Sequence, residues 1–225
     1  MYSPPPFQDR LDAGAQLAAA LTHLHLRPQA GVVLALPRGG VPVAFPVAQA
    51  LKLPLEVFVV RKLGLPSQPE LAMGALAEGG VRLFNEDVLA HSGVSAAEIE
   101  RVSGEEAQEL DRRIRTYRGE RPAPEVRGRT VILIDDGAAT GANLRAAITA
   151  LRAQEPARLV VGVPVGSAEA GQLLSQLADE VVCLHRPEMF YGVGQAYQNF
   201  DQTSDAEVLH LLKQAAPAPH QDGEP

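Results

Sequence analysis

Several residue types are scarce in this 225-residue chain, and each scarcity excludes a class of protein. There is no tryptophan and only one cysteine, Cys183, so an intramolecular disulfide framework is excluded. Aromatic residues make up 4%, and no apolar run approaches the roughly 18 residues of a membrane span. The first residues, Met1 to Pro6, lack the basic and apolar regions of a signal peptide. We therefore expect a cytoplasmic protein with no membrane segment.

Charge and composition narrow the function classes further. The net charge of −7 argues against general nucleic-acid binding, and 46% hydrophobic residues suffice for one sizeable core. We expect a single domain over residues 1–214 and a disordered tail over 215–225, which is too polar and proline-rich to order. One basic patch runs against the overall charge and could face phosphates; its members are Arg112, Arg113, Arg115, Arg118, Arg121, Arg127 and Arg129.

The most informative segment runs from Val131 to Gly141 and reads VILIDDGAATG. Its four large aliphatic residues, three of them β-branched, predict a strand that is buried on both faces of a parallel sheet. A helical pattern begins at Ala142, so the intervening loop lies between a strand carboxyl end and a helix amino end. Free amide groups and the helix dipole at such a loop favour a phosphate monoester, to which Thr140 can add a hydroxyl donor.

Asp135 and Asp136 are adjacent carboxylates at the end of this predicted strand. Their mutual repulsion would be relieved by a cation or by hydroxyl donors, and the vicinal hydroxyls of a ribose fit that requirement. On this reasoning, Asp136→Asn should weaken binding of the sugar ligand while the thermal midpoint holds or rises. The alternative is an ordinary strand-to-helix turn with an acidic rim.

The whole segment resembles the motif that binds 5-phosphoribosyl 1-diphosphate (PRPP) in type I phosphoribosyltransferases. That motif has a hydrophobic run, two acidic residues, two or three small or apolar residues, and Thr-Gly. The resemblance implies that Asp135 and Asp136 hold the ribose 2- and 3-hydroxyls. It also implies Mg²⁺ carried mainly by diphosphate and water, with no dedicated protein cage, and a homodimer. The loop that would wrap the 5-phosphate consists of Gly137, Ala138, Ala139, Thr140 and Gly141.

A second unit of strand, glycine loop and helix lies nearer the N-terminus. Residues 31–36 predict a buried strand that ends in Pro37-Arg38-Gly39-Gly40. Arg38 and the amides of Gly39 and Gly40 can bind an anion, and similar turns form the diphosphate-binding loop in the type I family. A plain glycine turn with a surface arginine is the alternative. We expect both glycine loops to open on the same edge of the sheet.

Residues 55–60 predict the next strand, which is followed by Arg61 and Lys62. This pair is similar to the basic pair that precedes the flexible catalytic loop in several family members, and the segment through Gly80 predicts a mobile loop. The resemblance implies that Arg61 and Lys62 neutralise the departing diphosphate. A solvated strand end is the alternative. The catalytic set implied by the resemblance is Asp135, Asp136, Arg38 and Lys62.

Aromatic residues cluster late in the chain, within residues 185–203. This segment is similar to the base-covering hood of purine phosphoribosyltransferases, where an aromatic ring lies over the base. The similarity implies base contacts from Phe190 and Tyr191, with Pro164 and Val165 as a cleft wall. A small satellite core beneath a loop is the alternative.

Strands alternate with helical patterns along the chain, which predicts an α/β fold with a doubly wound, mainly parallel sheet. Residues 158–165 and 180–184 supply two further strands. Ser95 and Glu98 form a capping-box pattern, from which an inserted long polar helix is expected over residues 95–118.

The resemblance implies a magnesium-dependent phosphoribosyltransferase that moves ribose 5-phosphate from PRPP to a nitrogenous acceptor and releases diphosphate. A nucleobase is the favoured acceptor, although enzymes acting on 6-oxopurines commonly carry Asp where this chain has Ala139. The alternative is a non-catalytic regulator that senses PRPP or a nucleotide and contacts RNA through the basic patch. Acceptor-dependent release of diphosphate would distinguish the two.

Overall fold

The computed structural model of the protein describes residues 5–27 and 29–215. Of the predicted tail, Ala215 ends the last helix, and residues 216–225 lie outside the described part. The strands are β1 Gly31–Ala35, β2 Leu55–Val57, β3 Val60–Leu65, β4 Gln68–Ala77, β5 Val81–Phe84, β6 Thr130–Ile134, β7 Arg158–Val165 and β8 Glu180–His185. The α-helices are α1 Arg10–Leu21, α2 Gly40–Leu51, α3 Glu86–Ser92, α4 Ala96–Arg118, α5 Ala142–Arg152, α6 Ala168–Ser175 and α7 Asp205–Ala215.

The central sheet has five parallel strands in the order β2-β1-β6-β7-β8. Strands β1 and β6 are neighbours in full register, with Leu34 opposite Leu133. The chain leaves β1 toward β2 on one side and leaves β6 toward β7 on the other. The loops that follow β1 and β6 therefore diverge at the point where strand order reverses, which is where open α/β sheets bind ligands.

Alternate side chains of the central strands fill two separate cores. On one face, Val33 and Ile132 pack with helices α1, α2 and α7. On the other face, Val131 and Leu133 pack with α5 and α6. Both faces are covered because the strands are apolar throughout, and the predicted doubly wound, mainly parallel sheet is confirmed.

A polar unit is inserted between β2 and β6. It comprises the antiparallel sheet β3-β4-β5, helix α3 and the 23-residue helix α4. The predicted long helix is confirmed with its capping box, since Glu98 N donates to Ser95 Oγ at 3.3 Å and Ser95 N donates to Glu98 Oε2 at 2.9 Å. The segment up to Gly80 was predicted to be a loop, but most of it forms strands β3 and β4.

One buried arginine connects this inserted unit to the central sheet. Arg118, at the end of α4, pairs with Glu78 just after β4, and its Nη2 donates to the Val57 carbonyl oxygen at 2.8 Å. Both charged side chains are almost fully buried. Across residues 5–27 and 29–215, no helix combines the length and apolar character needed to span a bilayer.

Candidate functional site

The two glycine loops predicted from the sequence meet at the carboxyl edge of β1 and β6. Together they line a cleft of about 660 Å³, as we expected for loops that open on the same edge. Lys62 enters the cleft from β3, and Val193 enters from the segment after β8. The loop residues in its wall are Pro37, Arg38, Gly39, Asp135, Asp136, Gly137, Ala138, Ala139, Thr140 and Gly141.

The loop after β6 is shaped by hydrogen bonds to the next strand. Ala138 N donates to the Val165 carbonyl oxygen at 2.9 Å, and Ser167 Oγ donates to the Ala139 carbonyl oxygen at 2.7 Å. Ala142 N donates to Thr140 Oγ1 at 3.3 Å, which leaves the hydroxyl proton of Thr140 available to a ligand. Among the described residues, the amides of four loop residues have no protein acceptor: Gly137, Ala139, Thr140 and Gly141. These amides face the start of α5, an arrangement suited to an anion.

The two adjacent acids have different partners. Asp136 Oδ2 accepts a hydrogen bond from Arg10 Nε at 2.9 Å, and Arg10 Nη2 forms an ion pair with the same oxygen at 2.9 Å. Asp135 Oδ1 accepts a hydrogen bond from the Asp136 amide at 2.9 Å. Tyr197 Oη donates to the Asp136 carbonyl oxygen at 2.5 Å. Among the described residues, the Asp136 carboxylate is thus held by a guanidinium, whereas the Asp135 carboxylate accepts only the amide of its neighbour.

Burial makes both acids easier to protonate than they are in water. Desolvation raises the pKa of Asp135 well above its ordinary range, and the charge of Asp136 raises it further. Desolvation also raises the pKa of Asp136, but the Arg10 guanidinium opposes that shift. Asp135 is therefore the acid that gains most from a ligand able to donate hydrogen bonds to its carboxylate.

The loop after β1 lies directly against the acids. A β-carbon at position 39 would overlap the Asp136 carboxylate, so glycine is required there for this close approach. The Gly40 amide is used within the loop, because it donates to the Leu36 carbonyl oxygen at 3.0 Å. The Arg38 side chain lines the cleft, and its Nη1 lies 3.9 Å from Asp205 Oδ1 at the start of α7. Anion binding by this loop would depend on Arg38 and Gly39 more than on Gly40.

The two residues of the basic pair predicted to face the diphosphate, Arg61 and Lys62, contact different parts of the protein. Lys62 lines the cleft. The guanidinium of Arg61 instead contacts helix α4, with Nε and Nη2 each 2.6 Å from Glu106 Oε2. These two residues are neighbours on a strand, so their side chains point to opposite faces of the small sheet.

The two aromatic residues predicted to contact the base, Phe190 and Tyr191, also lie in different surroundings. Tyr191 is 83% exposed, and Phe190 is half-buried against a small cluster that contains Phe7, Ala13, Val165, Ala196 and Tyr197. Neither Phe190 nor Tyr191 is among the described residues that line the cleft. The hood residue that does line it is Val193. Val165 is fully buried in the cluster, so its side chain does not form the expected cleft wall. Four residues of the segment belong to the satellite core proposed as the alternative: Phe190, Val193, Ala196 and Tyr197.

Arg10 was not identified from the sequence. It begins α1, 126 residues away from Asp136, and nothing in its local sequence marks a charged residue that will be buried. A signal was present in the acids themselves, because two adjacent buried carboxylates require a compensating cation. The sequence indicated the need for that cation but did not identify it.

The arginines of the basic patch before β6 contact neighbouring oxygen atoms of the protein. Its members pair with carboxylates or with backbone carbonyl oxygens: Arg112 and Arg113 with Glu109, Arg115 with Asp111, Arg118 with Glu78, Arg121 with Glu56, Arg127 with Glu155, and Arg129 with Gly31. Within the described ranges, no group of three His, Cys, Asp or Glu side chains is placed to hold a metal ion.

Comparison with known proteins agrees with this geometry. A family model described as "Phosphoribosyl transferase domain" matches residues 8–200. Two Mycobacterium tuberculosis proteins, "Putative phosphoribosyl transferase MT0597" (strain CDC 1551 / Oshkosh) and "Putative phosphoribosyl transferase Rv0571c" (strain H37Rv), are each 48% identical over 209 residues. The match covers 93% of this chain and 47% of each relative, so the chain spans about half the length of these curated relatives.

Solved structures show the same architecture. The crystal structure of TT1426 from Thermus thermophilus is 43% identical and matches with a TM-score of 0.81, covering 94% of this chain and 99% of that chain. A hypothetical protein from Neisseria gonorrhoeae, solved with bound ppGpp, matches with a TM-score of 0.50 at 14% identity and covers 96% of this chain and 99% of that chain. At this lower identity, the likeness concerns the fold alone.

Proposed function

The chain belongs to the phosphoribosyl transferase domain family, and from this premise we propose that it transfers ribose 5-phosphate from PRPP to a nitrogenous acceptor with release of diphosphate. One observation carries the proposal. An acidic pair, an amide-lined loop and an arginine-glycine loop line the same cleft where the strand order reverses. A sugar diol, a phosphate monoester and a diphosphate require these three kinds of partner.

The proposed position of the ribose phosphate follows from the groups that still lack partners. The amides at Gly137 and from Ala139 to Gly141 surround the 5-phosphate at the amino end of α5, and the Thr140 hydroxyl donates to it. Asp135 accepts hydrogen bonds from the ribose hydroxyls, because its carboxylate is less engaged by protein groups than that of Asp136. These contacts fix the sugar so that its anomeric carbon faces the leaving group and the acceptor.

Departure of diphosphate leaves positive charge on the sugar and negative charge on the leaving group. Arg38, the Gly39 amide and Lys62 lie where they can hold the diphosphate. Mg²⁺ is proposed to arrive with the diphosphate and to keep most of its water, because the ion dehydrates reluctantly and the Asp136 carboxylate in the cleft is already engaged by Arg10. When bound, the ion would neutralise charge on the departing diphosphate.

The acceptor is proposed to be a nucleobase that enters beneath the hood. Val193 supplies an apolar surface on that side of the cleft, and Phe190 and Tyr191 belong to the same segment. Ala139 provides no side chain that could accept a proton or read the polar edge of a 6-oxopurine. A base that needs no such contact is therefore favoured.

The experiment incubates the protein with PRPP, Mg²⁺ and a panel of nucleobases and amines, and measures diphosphate release together with calorimetric PRPP binding. We expect acceptor-dependent release from the wild type. Asp135→Asn should bind PRPP about tenfold more weakly, the loss expected for a hydrogen bond to a charged group. Asp87→Asn, at an exposed position in α3, is the matched control and should behave as wild type. Binding without release would favour a regulator, and absence of PRPP binding would refute the proposal.

A further inference from the structure

The Arg10 side chain is held in one geometry by contacts with three residues: Asp136, Asp201 and Phe200. Nε donates to Asp136 Oδ2, Nη2 forms an ion pair with the same oxygen, and Nη1 donates to the Asp201 carbonyl oxygen at 2.7 Å. The guanidinium carbon lies 3.9 Å from the ring centroid of Phe200, and that ring is stacked on Tyr197 with centroids 4.9 Å apart. An arginine that stacks on a ring while its planar fork donates to oxygen atoms has little rotational freedom left.

The ion pair between Arg10 and Asp136 is largely shielded from water. The two side chains are 12% and 18% exposed, so removal of either partner would strand a charge. The hydroxyl of Tyr197 meanwhile fixes the carbonyl end of the Asp136 peptide unit. Helix α1 and the hood therefore immobilise Asp136 at both its side chain and its backbone.

This constraint passes to Asp135 through one backbone hydrogen bond. The Asp136 amide donates to Asp135 Oδ1, so a fixed Asp136 also fixes the orientation of the neighbouring carboxylate. We infer that Arg10 is a positioning residue, which holds Asp136 so that Asp135 presents its carboxylate to the vicinal hydroxyls of a ribose phosphate. This inference rests on the proposed function and adds the source of selectivity for a ribose over a 2-deoxyribose.

Arg10 acts from outside the cleft. Its side chain lines a separate surface depression with Asp9, Leu11 and Asn199, and among the described residues it does not contribute to the cleft wall. Its effect on a sugar must therefore pass through the acids. Loss of Arg10 would leave two adjacent carboxylates with no compensating cation, and their repulsion would turn the Asp135 carboxylate out of its present orientation.

The test measures calorimetric affinity for ribose 5-phosphate, 2-deoxyribose 5-phosphate and inorganic phosphate in the wild type and in Arg10→Gln. We expect the wild type to prefer the ribose ligand by about tenfold, as for a hydrogen bond to a charged group, and Arg10→Gln to lose most of that preference. Affinity for inorganic phosphate should be unchanged, because the amide-lined loop does not depend on Arg10. A role in stability alone would lower the melting temperature and leave the preference intact.

Two further variants test the role of Arg10 in the same assay. Arg10→Lys keeps the charge but not the planar fork, so we expect an intermediate preference, and this variant carries the test if Arg10→Gln does not fold. Arg27→Gln, at an exposed position, is the matched control and should retain the full preference.

The possible failures are distinguishable. A folded Arg10 variant with the wild-type ratio of ribose to deoxyribose affinity would overturn this inference and leave the proposed function standing. A wild type that binds neither sugar phosphate would overturn both.

Discussion

The central sheet and helix α4 of the inserted unit differ in how much of their surface is buried. Strands β1 and β6 are buried at every residue, and their side chains contact helices on both faces. Helix α4 of the inserted unit buries only four of its 23 residues, which are Ser103, Leu110, Tyr117 and Arg118. Ion pairs such as Arg82–Glu100 and Arg61–Glu106 connect the insert's own elements.

This difference corresponds to the parts of the candidate site. The groups proposed to fix the sugar follow directly from apolar strands, whose close packing leaves little freedom to move. Lys62, proposed to contact the leaving diphosphate, comes from the charge-rich insert. Arg118 lies where the two units meet, because its guanidinium pairs with Glu78 of the insert and donates to the Val57 carbonyl oxygen of β2, so it is the first residue at which to test the comparison.

The largest effect should come from Arg118→Met. This change leaves the Glu78 carboxylate buried without its partner and removes the hydrogen bond to the Val57 carbonyl oxygen. We expect a loss of about 3–5 kcal/mol in the free energy of unfolding, measured by urea denaturation. The double variant Arg118→Met with Glu78→Leu should lose less, because no buried charge then remains unpaired.

Arg82→Gln is the matched control for this prediction. It breaks an ion pair with Glu100 in which both side chains are well exposed, so the expected loss is below about 1 kcal/mol. Similar losses of unfolding free energy for Arg118→Met and Arg82→Gln would show that burial does not distinguish the Arg118–Glu78 pair from the surface pairs.

An intermediate effect is expected where the hood meets the phosphate loop. A β-carbon at position 137 would lie 2.5 Å from Val193 Cγ1 and 3.0 Å from Val165 Cγ1. Gly137→Ala should therefore cost about 1–3 kcal/mol through overpacking, read from thermal unfolding. Adding Val193→Ala should recover much of that loss. If the double variant is no more stable than Gly137→Ala, the contact with Val193 is not the cause.

The smallest effect concerns pH and the acid pair. Burial, and then the charge of Asp136, raise the pKa of Asp135 in the folded protein, so the folded state binds a proton more readily than the unfolded state. Stability contributed by this proton is complete below the ordinary value of 3.8 and is lost as pH rises through the raised pKa. Binding of ribose 5-phosphate should show the opposite trend, because the carboxylate form accepts the sugar hydroxyls.

Unfolding and calorimetric titrations across this pH range provide the measurement. Asp135→Asn should flatten both profiles, while Arg10 and Asp136 remain in place as the other charged groups facing Asp135. Unchanged profiles in Asp135→Asn would assign the pH dependence to other groups.

The expected effect of Asp136→Asn changes once the structure is known. Two adjacent acids considered alone predict relief of repulsion and a thermal midpoint that holds or rises. Arg10 overturns that expectation, since an asparagine would leave its guanidinium buried without a counter-charge. A lower midpoint is now expected.

Most of the fold could be predicted because its signals are local. The apolar run from Val131 to Ile134, the phosphate-sized loop and the capping box at Ser95 each depend on a few neighbouring residues. The strands of the insert gave no such signal. Gly64 and Pro69 interrupt the alternating pattern, and the pairing of β3 with β4 shifts register around Gly64.

A reading of contiguous residues was enough to predict an acidic pair and a phosphate-sized loop between a buried strand and a helix, because neighbouring residues encode that whole unit. Three features came from long-range packing instead: the cation that compensates the acids, the basic residue that enters the cleft and the hood residue that reaches the loop. Arg10, Lys62 and Val193 lie far from the motif in the chain. Their positions depend on how helices and strands pack, and no local pattern records that packing.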